Sequence, residues 1–300
     1  MILAITGGTG FVGGKLIELA VEAGHEVRAL TRRPQPDMPC VTWVPGALDA
    51  PPALTAMMRG ADAVIHVAGV VNAPDRAGFA AGNIDGSQAV VDAATTAGIR
   101  RFIHVSSLAA REPQLSHYGW SKAGAEHVVE ASGLDWTIVR PTAIYGPGDM
   151  EMRDMFRMAK FGLAMLPPPG RMSVIEVSDL ARLLLALVAN DPGRVILEVD
   201  DGAEDGWTHA DFARAIGAAV GQRVLPLALP KTILSLAARA DRLLRGGKAK
   251  LTADRVGYLS HPDWTVDPAK RPETALWRAE VPTLQGLTAT ASWYRAKGLL

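Results

Sequence analysis

The sequence predicts an α/β fold in which a doubly wound parallel sheet is followed by a smaller, mostly helical C-terminal cap. Three observations carry this prediction. Short apolar runs alternate with helical patterns over the first 149 residues, several of the runs are almost continuously apolar, and the pattern loosens after residue 149. Strands that are apolar throughout are typical of parallel sheets covered by helices on both faces.

The elements of the predicted sheet follow one another in order. Apolar runs predict strands, and apolar residues repeating with helical spacing predict helices. The predicted strands are residues 1–6, 26–31, 41–44, 63–68, 101–106 and 136–139. The predicted helices between them are residues 11–23, 87–97 and 119–131.

The second half of the chain is divided between the sheet and the cap. A helix over 178–189 and a strand over 194–199 are predicted, so residues 174–200 are expected to return to the first domain, which spans 1–149. Residues 150–173 and 201–300 are expected to form the substrate-binding cap. The amphipathic segment 233–244 is interpreted as packing within the cap, in preference to membrane contact.

Composition and charge exclude several classes of function. The 300 residues include 31 basic and 31 acidic ones, so no net charge favours nucleic acid or an anionic membrane surface. Cys40 is the single cysteine, which excludes a disulfide framework and a cysteine metal cluster. No stretch approaches the roughly 20 apolar residues that span a bilayer. We expect a cytoplasmic monomer or homodimer that acts on a small molecule and holds no metal.

Seven histidines are scattered along the chain, and none forms a metal-ligand pattern with a partner at helical spacing. His66 lies within an apolar run, and His104 lies just before a pair of serines. Each is interpreted as a core residue whose ring nitrogens have hydrogen-bond partners, in preference to a ligand.

A glycine-rich turn follows the first predicted strand and opens the first helix. Residues 6–13 read TGGTGFVG, which fits G-x-G-x-x-G through Gly8, Gly10 and Gly13 and G-x-x-G-x-x-G through Gly7, Gly10 and Gly13. Glycine allows the tight turn and lets the backbone approach a pyrophosphate at the helix N-terminus. Because the strand and the helix flank the turn as required, we predict a Rossmann-type nicotinamide dinucleotide site. A merely structural turn is the alternative.

The end of the second strand bears on the choice of dinucleotide. It reads Leu30-Thr31-Arg32-Arg33, and no carboxylate follows until Asp37. An acidic residue there would hold the ribose 2′-hydroxyl of NAD, whereas a guanidinium suits the 2′-phosphate of NADP. We predict that NADP(H) is preferred over NAD(H), with Arg32 and Arg33 at the phosphate. A solvated surface turn is the alternative.

A tyrosine and a lysine stand four residues apart at the start of a predicted helix, where they share one face. Tyr118 has a phenol whose usual pKa is near 10, so it needs its anion stabilised to act near neutral pH, and the ammonium of Lys122 does that. Ser107 follows a strand at its carboxyl end, where α/β sheets bind ligands. We predict that Tyr118 exchanges a proton and Ser107 orients a carbonyl. A helix-surface pair is the alternative.

These motifs in this order resemble the short-chain dehydrogenase/reductase superfamily, and most of all its extended and atypical members of the NAD-dependent epimerase/dehydratase type. The supporting segments are residues 6–14, 27–34, 60–69, 100–107, 118–126, 139–149, 174–185 and 267–294. The resemblance implies that Ser107, Tyr118 and Lys122 are catalytic, that Lys122 also holds the nicotinamide ribose, and that Asn83 is structural. The cofactor contacts that we expect are Gly7, Thr9, Gly10, Phe11, Val12, Arg32, Arg33, Leu48, Ala68, Gly69, Tyr118, Lys122 and Pro141.

The sequence departs from the family pattern at two places. Gly46 is followed by Ala47 where many members have aspartate against the adenine, so Leu48 and backbone groups are expected there instead. Only ten residues separate Ser107 from Tyr118, a short form similar to relatives of the NAD(P)-binding accessory subunit of respiratory complex I.

The function that these observations favour is an NADP(H)-dependent oxidoreductase. It would transfer hydride to or from a carbonyl or alcohol carbon. The apolar residues 166–169 and six methionines near them suggest a hydrophobic substrate. The alternatives are a sugar-nucleotide epimerase or dehydratase with tightly bound NAD, and a non-catalytic assembly protein that binds the dinucleotide.

Overall fold

The computed structural model describes residues 1–246, 249 and 251–300. Its first six strands are β1 (Ile2–Thr6), β2 (Glu26–Thr31), β3 (Val41–Pro45), β4 (Ala63–His66), β5 (Arg101–Val105) and β6 (Asp135–Pro141). The later strands are β7 (Ala143–Tyr145), β8 (Leu163–Leu166), β9 (Arg171–Met172), β10 (Val174–Glu176), β11 (Val195–Val199), β12 (Trp207–Thr208), β13 (Leu225–Ala228) and β14 (Asp263–Trp264).

Helices alternate with these strands through the first half of the chain and dominate the second. They are α1 (Phe11–Glu22), α2 (Pro51–Met58), α3 (Arg76–Phe79), α4 (Gly86–Thr96), α5 (His117–Glu130), α6 (Arg153–Lys160), α7 (Val177–Ala189), α8 (His209–Val220), α9 (Lys231–Arg245), α10 (Ala253–Leu259) and α11 (Thr283–Ala296). A π-helical turn, Ala80–Asp85, joins α3 to α4, and a 3₁₀ turn, Leu108–Arg111, precedes α5.

The predicted doubly wound α/β class is confirmed. Within the described residues, seven strands form one sheet in the order β11-β6-β5-β4-β1-β2-β3. Neighbours from β3 through β6 are parallel, and the register pairs Leu3 of β1 with Ala63 of β4. Leu3, Ala4 and Ile5 of β1 and the apolar residues of β4 are fully buried, which is why these strands carry no alternation of polar and apolar positions.

The chain forms two compact units. The first contains residues 1–141, 180–198 and 270–277, and it includes almost all of the large sheet. The second contains residues 142–179, 199–269 and 278–300. The core of the second unit is rich in aromatic side chains that are fully buried, namely Tyr145, Phe156, Phe212 and Tyr294. That residues 150–173 and 201–300 bind substrate stays a prediction.

Several element boundaries differ from the sequence-based prediction for identifiable reasons. Helix α5 begins at His117, two residues before the predicted start, because the Ser116 hydroxyl caps it by accepting a hydrogen bond from the Gly119 amide. Helix α2 was not predicted, although Pro51 at its first position is a helix-start signal. The short strands β7 to β10 and β12 to β14 were also missed, because two to four residues show no usable period.

The interpretation of residues 233–244 as cap packing is wrong for most of the segment. In α9 only Leu234 and Ala238 are buried, in a small cluster with Val256 of α10. The other large apolar side chains of the helix are exposed; they are Ile233, Leu236, Leu243 and Leu244. The helix therefore packs through one narrow stripe and turns an apolar face to solvent.

Among the described residues, no helix combines the length and the apolar character that a membrane span requires. No group of three or more histidine, cysteine or acidic side chains in this part of the chain is arranged to hold a metal ion.

Candidate active site

The glycine turn between β1 and α1 contains glycines of two kinds. Gly7 has φ +74°, and a Cβ placed on it would lie 2.7 Å from the Ala68 amide nitrogen. A Cβ on Gly13 would lie 2.1 Å from the Gly7 carbonyl oxygen. Gly10 is different, because its φ is −88° and its Cβ would approach the Gly7 carbonyl oxygen no closer than 3.3 Å. The fold itself requires glycine at 7 and 13 but not at 10.

The start of α1 offers backbone donors to an anion. Gly10 is the N-cap residue and has no side chain to bond the first amides of the helix. A helix N-terminus carries partial positive charge, and its first N–H groups have no partners within the helix. Thr9 and Gly10 are exposed here, and Phe11 and Val12 are half-buried in the first turn. These predicted residues therefore lie where a pyrophosphate could approach.

The ends of β1 and β4 are tied together beside this turn. The Thr6 hydroxyl accepts a hydrogen bond from the Ala68 amide at 3.2 Å and is bonded to Nδ1 of His66 at 2.6 Å. Nε2 of His66 is bonded to the Ser87 hydroxyl at 3.0 Å. These bonds position Ala68 and Gly69 next to Gly7, so three of the predicted cofactor residues lie side by side.

The two arginines after β2 are exposed. The Thr31 side chain shapes their turn, since its hydroxyl donates to the Arg33 carbonyl oxygen at 2.6 Å and accepts from the Arg33 amide. No ion pair of Arg32 or Arg33 occurs within the described ranges 1–246, 249 and 251–300. Both guanidinium groups are thus accessible to a ligand.

Tyr118, Lys122 and Ser107 meet at the carboxyl end of β5. The Tyr118 hydroxyl and the Ser107 side chain share a hydrogen bond. Lys122 is buried, and its ammonium donates to the Val105 carbonyl oxygen at 2.9 Å. The ten residues between Ser107 and Tyr118 bring the two side chains together because the 3₁₀ turn packs tightly on α5. A Cβ on Gly119 of this helix would lie 2.6 Å from the Ala109 carbonyl oxygen.

Burial shifts the acid–base properties of the pair in opposite directions. It raises the pKa of the Tyr118 phenol, and the hydrogen bond with Ser107 opposes that rise. It lowers the pKa of Lys122 to about 8, against an opposing effect of the Glu126 carboxylate. Both shifts follow from the cost of a charge in a poorly solvated site.

Asn83 connects the tyrosine–lysine helix to the loop after β4. Its side-chain oxygen accepts from the Val70 amide at 2.7 Å, and its nitrogen donates to the Val70 carbonyl oxygen and the Ser121 hydroxyl. A Cβ on Gly69 would lie 2.9 Å from the Asn83 oxygen and 3.7 Å from the Lys122 nitrogen. The π-helical turn that carries Asn83 therefore aligns Gly69 with Lys122, and π turns often occur at functional sites.

Comparison with known proteins assigns this arrangement to a family. Residues 7–191 match the family described as NAD(P)H-binding, which is more than half of the chain. The chain is also 37% identical over 309 aligned positions to the ceramide reductase of Caulobacter vibrioides, in an alignment that covers 100% of this chain and 96% of that enzyme. The protein belongs to the atypical short-chain dehydrogenases/reductases.

Further relatives agree with this assignment. This short-chain dehydrogenase/reductase is 30% identical to the 4-hydroxy-2-methyl-3-oxo-4-farnesyl-3,4-dihydroquinoline-1-oxide ketoreductase of Stigmatella aurantiaca, over 66% of this chain and 68% of that enzyme. Its fold matches the crystal structure of human epimerase family protein SDR39U1 with NADPH, with TM-score 0.76, 20% identity, and coverage of 97% and 99% of the two chains. The protein is an NAD(P)-dependent oxidoreductase, as its relatives named reductases and dehydrogenases indicate.

Two predicted cofactor residues of this short-chain dehydrogenase/reductase lie farther along the sheet. Leu48 follows β3 and is half-buried against the first residue of α4, since a Cβ on Gly86 would lie 2.7 Å from its side chain. Pro141 is buried as the last residue of β6. Leu48 thus follows the carboxyl end of its strand and Pro141 forms it, at the edge of the sheet to which the glycine turn also belongs.

Sequence reasoning missed a charged network that supports the tyrosine–lysine helix of this dehydrogenase/reductase. Glu126 is buried; it accepts a hydrogen bond from the Ser106 hydroxyl at 2.5 Å and two from the Arg140 guanidinium at 2.9 and 2.6 Å. Arg140 also pairs with buried Glu198 at 3.4 Å. The sequence did contain two signals of this network. Glu126 stands four residues after Lys122 and so shares its helix face, and Arg140 is a charged residue directly after the apolar Ile138-Val139 of a strand.

The two strand histidines differ in their environment. His66 is a core residue with both ring nitrogens hydrogen-bonded, as expected. His104 pairs with it across β4 and β5, with ring centroids 5.2 Å apart, but neither of its ring nitrogens has a hydrogen-bond partner in the described part of the chain. His104 is thus a core residue as expected, but the expectation that its ring nitrogens have hydrogen-bond partners was wrong. Burial lowers the pKa of both rings, to about 3 for His66.

Proposed function

We propose that this oxidoreductase reduces a ketone on a hydrophobic, lipid-like substrate with NADPH, using Ser107, Tyr118 and Lys122. One observation carries the proposal. A continuous line of groups runs from the glycine turn through Ala68 and Gly69 to the Lys122 ammonium and on to the hydrogen-bonded pair of Tyr118 and Ser107. A dinucleotide and a carbonyl could be held end to end along such a line.

The glycine turn fits a dinucleotide. The fold does not require glycine at position 10, but the absence of a side chain there leaves the backbone open to a ligand. The amides at the start of α1 have no side-chain cap and suit a pyrophosphate. Gly7, Gly10, Phe11 and Val12 would line the pyrophosphate, and Lys122 would bond the nicotinamide ribose. When bound, NADPH supplies a hydride to the carbonyl carbon of the substrate.

The side chains would manage the oxygen and its proton. The Ser107 hydroxyl would donate a hydrogen bond to the carbonyl oxygen and hold it against Tyr118. The Tyr118 phenol would then transfer its proton to that oxygen as the alcohol forms, which is general acid catalysis. The Lys122 ammonium would stabilise the phenolate that remains. Because burial raises the pKa of Tyr118, the phenol is protonated and ready to donate at neutral pH.

The proposed substrate class rests on the named relatives. One of them is a ceramide reductase, which aligns over this whole chain, and another is a ketoreductase of a farnesylated quinoline oxide. Both names denote reduction of molecules with long apolar chains. The second compact unit of the chain, rich in methionine and aromatic side chains, is in keeping with such a substrate.

A sugar-nucleotide epimerase is the second candidate, since the fold is shared with UDP-N-acetylglucosamine 4-epimerase from Bacillus cereus at 18% identity. Such an enzyme would oxidise and re-reduce its substrate, so it would keep its NAD and show no net consumption of NADPH. The short connection between Ser107 and Tyr118, filled by three buried residues of the 3₁₀ turn, favours the reductase.

Turnover with a panel of carbonyl compounds tests the proposed reaction. The panel contains a keto form of ceramide, a ketosteroid and UDP-glucose, with NADPH oxidation followed by absorbance. We expect NADPH consumption with the apolar ketones, and a kcat lower by roughly 10²–10⁴ in Tyr118→Phe while NADPH still binds. Phe161→Tyr, which places a phenol at an exposed position, is the control. Full turnover by Tyr118→Phe would remove the tyrosine from the mechanism.

NADP(H) preference is the finer part of the proposal. An arginine next to a 2′-phosphate can make two charge-assisted hydrogen bonds, and exposure reduces their contribution. We expect NADPH to bind roughly tenfold to a hundredfold more tightly than NADH. Arg32→Asp should reverse the order, because it replaces attraction by repulsion, whereas Arg59→Gln, at another exposed arginine, should not. Equal affinities of the native protein for both dinucleotides, measured by calorimetry, would contradict the assignment.

A further inference from the structure

The second compact unit presents an unusual set of large apolar side chains to solvent. On α9 they recur with helical spacing at Ile233, Leu236, Leu243 and Leu244, and the last two are 87% and 85% exposed. Leu243 and Leu244 lie seven and eight residues after Leu236, so the three share one face of the helix. Soluble proteins rarely expose a contiguous apolar stripe of this kind without a use for it.

A small sheet, whose strand β13 directly precedes α9 in the chain, exposes a second apolar face. Strands β8 and β13 pair in parallel, with Leu163 opposite Leu225 and Met165 opposite Leu227. These four side chains are between 42 and 59% exposed, while the alternate residues Ala164 and Leu166 pack on α8. Phe161, two residues before β8, is 80% exposed. We call α9 together with this face and Phe161 the apolar surface.

Positive charge is concentrated along the apolar surface. Residues 221–245 contain five basic residues and one acidic residue, although the whole chain is neutral. Arg239 is exposed and lies three residues after Leu236 and four before Leu243, so it borders the apolar stripe. The single acidic residue, Asp241, is already paired with Arg245 at 3.1 Å. Lys160 and Arg223, at the edge of the small sheet, are exposed as well.

We propose that the apolar surface docks the enzyme on an anionic lipid bilayer, with α9 lying in the plane of the membrane interface. A basic amphipathic helix with exposed leucines is the pattern that inserts its apolar face among acyl chains while arginine and lysine bind lipid phosphates. A second copy of the chain fits less well, because two such surfaces would bring like charges together. The proposal concerns a surface and needs neither the proposed substrate nor turnover.

Docking is tested by sedimentation of the full-length protein with vesicles of phosphatidylcholine, with and without phosphatidylglycerol. We expect sedimentation with the anionic vesicles and its loss on addition of salt. Leu236→Ser with Leu243→Ser, and separately Arg239→Gln with Arg242→Gln, should each weaken the partition by about tenfold. Because these side chains are exposed, the melting temperatures should stay unchanged. Leu284→Ser, at a similarly exposed leucine of α11, and Arg59→Gln are the matched controls and should bind as the native protein does.

Three results would overturn the proposal. One is absence of sedimentation with anionic vesicles, and another is equal sedimentation with neutral ones. The third is a change of oligomeric state in the leucine variant without any vesicle binding, measured by analytical ultracentrifugation, which would make the surface a protein interface. None of these measurements depends on NADPH or a ketone, so failure of the membrane proposal is distinguishable from failure of the proposed function.

Discussion

At the scale of single residues, the candidate site gathers one buried ammonium with one phenol. Lys122 is buried and bonds a backbone carbonyl oxygen, so its charge is held in a poorly solvated place. Burial lowers its pKa to about 8, and the Glu126 carboxylate limits that shift. A charged lysine in such a position lowers the stability of the folded protein. Shifted pKa values of this kind are common at active sites, and this one can be detected by measuring stability at different pH values.

Lys122 should make the free energy of unfolding depend on pH, and this dependence should be absent when Lys122 is replaced. The pKa of Lys122 is about 8 in the folded protein and 10.5 in the unfolded chain, so between these values the unfolded chain holds the extra proton. Stability should therefore rise with pH there. Relative to Lys122→Met, the native free energy of unfolding should increase by about 2–3 kcal/mol from pH 7 to pH 10. Denaturation at both pH values, with exposed Lys297→Met as control, measures this, and a constant difference would contradict the pKa assigned to Lys122.

At the scale of elements, the sequence predicted those parts whose pattern is local. Strands β1 to β6 were placed to within two residues, because each is a mainly apolar run. Most residues of β1, β4, β5 and β6 are buried, whereas those of the edge strand β3 are half-buried or exposed. Tyr118 and Lys122 were placed on one helix face because four-residue spacing fixes that geometry. Helix α2 and the short strands were missed because neither carries enough residues to define a period.

Contacts between distant residues were beyond sequence reasoning. The Ser106–Glu126–Arg140–Glu198 network joins residues up to 58 positions apart in a single contact, which no spacing rule relates. The exposure of α9 was also not predictable, since an amphipathic pattern gives the direction of an apolar face but not what covers it. For the candidate site, the sequence predicted the chemistry of each side chain. It did not predict the buried charged network that holds the tyrosine–lysine helix in place.

The glycine turn is the element in which structural and ligand requirements can be separated. Gly10→Val should keep the fold, because its φ of −88° suits any residue, and should abolish dinucleotide binding. Gly13→Ala should instead destabilise the protein by about 1–3 kcal/mol or more, since the new Cβ would lie 2.1 Å from the Gly7 carbonyl oxygen. Thermal denaturation and NADPH calorimetry on both variants separate the two effects. Undiminished binding by Gly10→Val would leave the turn a purely structural feature.

At the scale of the whole molecule, the first compact unit is assembled from three separate stretches of chain, residues 1–141, 180–198 and 270–277. Glu198, fully buried at the end of the second stretch, pairs with Arg140 and Arg111 of the first and with Lys270 of the third. The Glu198 carboxylate therefore links the second stretch of chain to the first and the third through ion pairs. Buried charges of this kind contribute little net stability as a set, but they are costly to leave unpaired.

Removing the central cation of this network should be far more damaging than removing an exposed one. Arg140→Met leaves the buried Glu126 carboxylate without its two guanidinium hydrogen bonds and Glu198 with one partner fewer, and we expect a loss of about 3–5 kcal/mol in the free energy of unfolding. Arg100→Met removes a pair of 2.9 Å to Asp135, close to the 2.6 Å between Arg140 and Glu126, but the Arg100 side chain is 73% exposed. Solvent screens this exposed pair, so the loss of stability should be far smaller than that of Arg140→Met. Urea denaturation of both variants decides the matter: similar losses would mean that Glu126 and Glu198 are solvated or protonated when Arg140 is absent, and that the network does not hold the three stretches together.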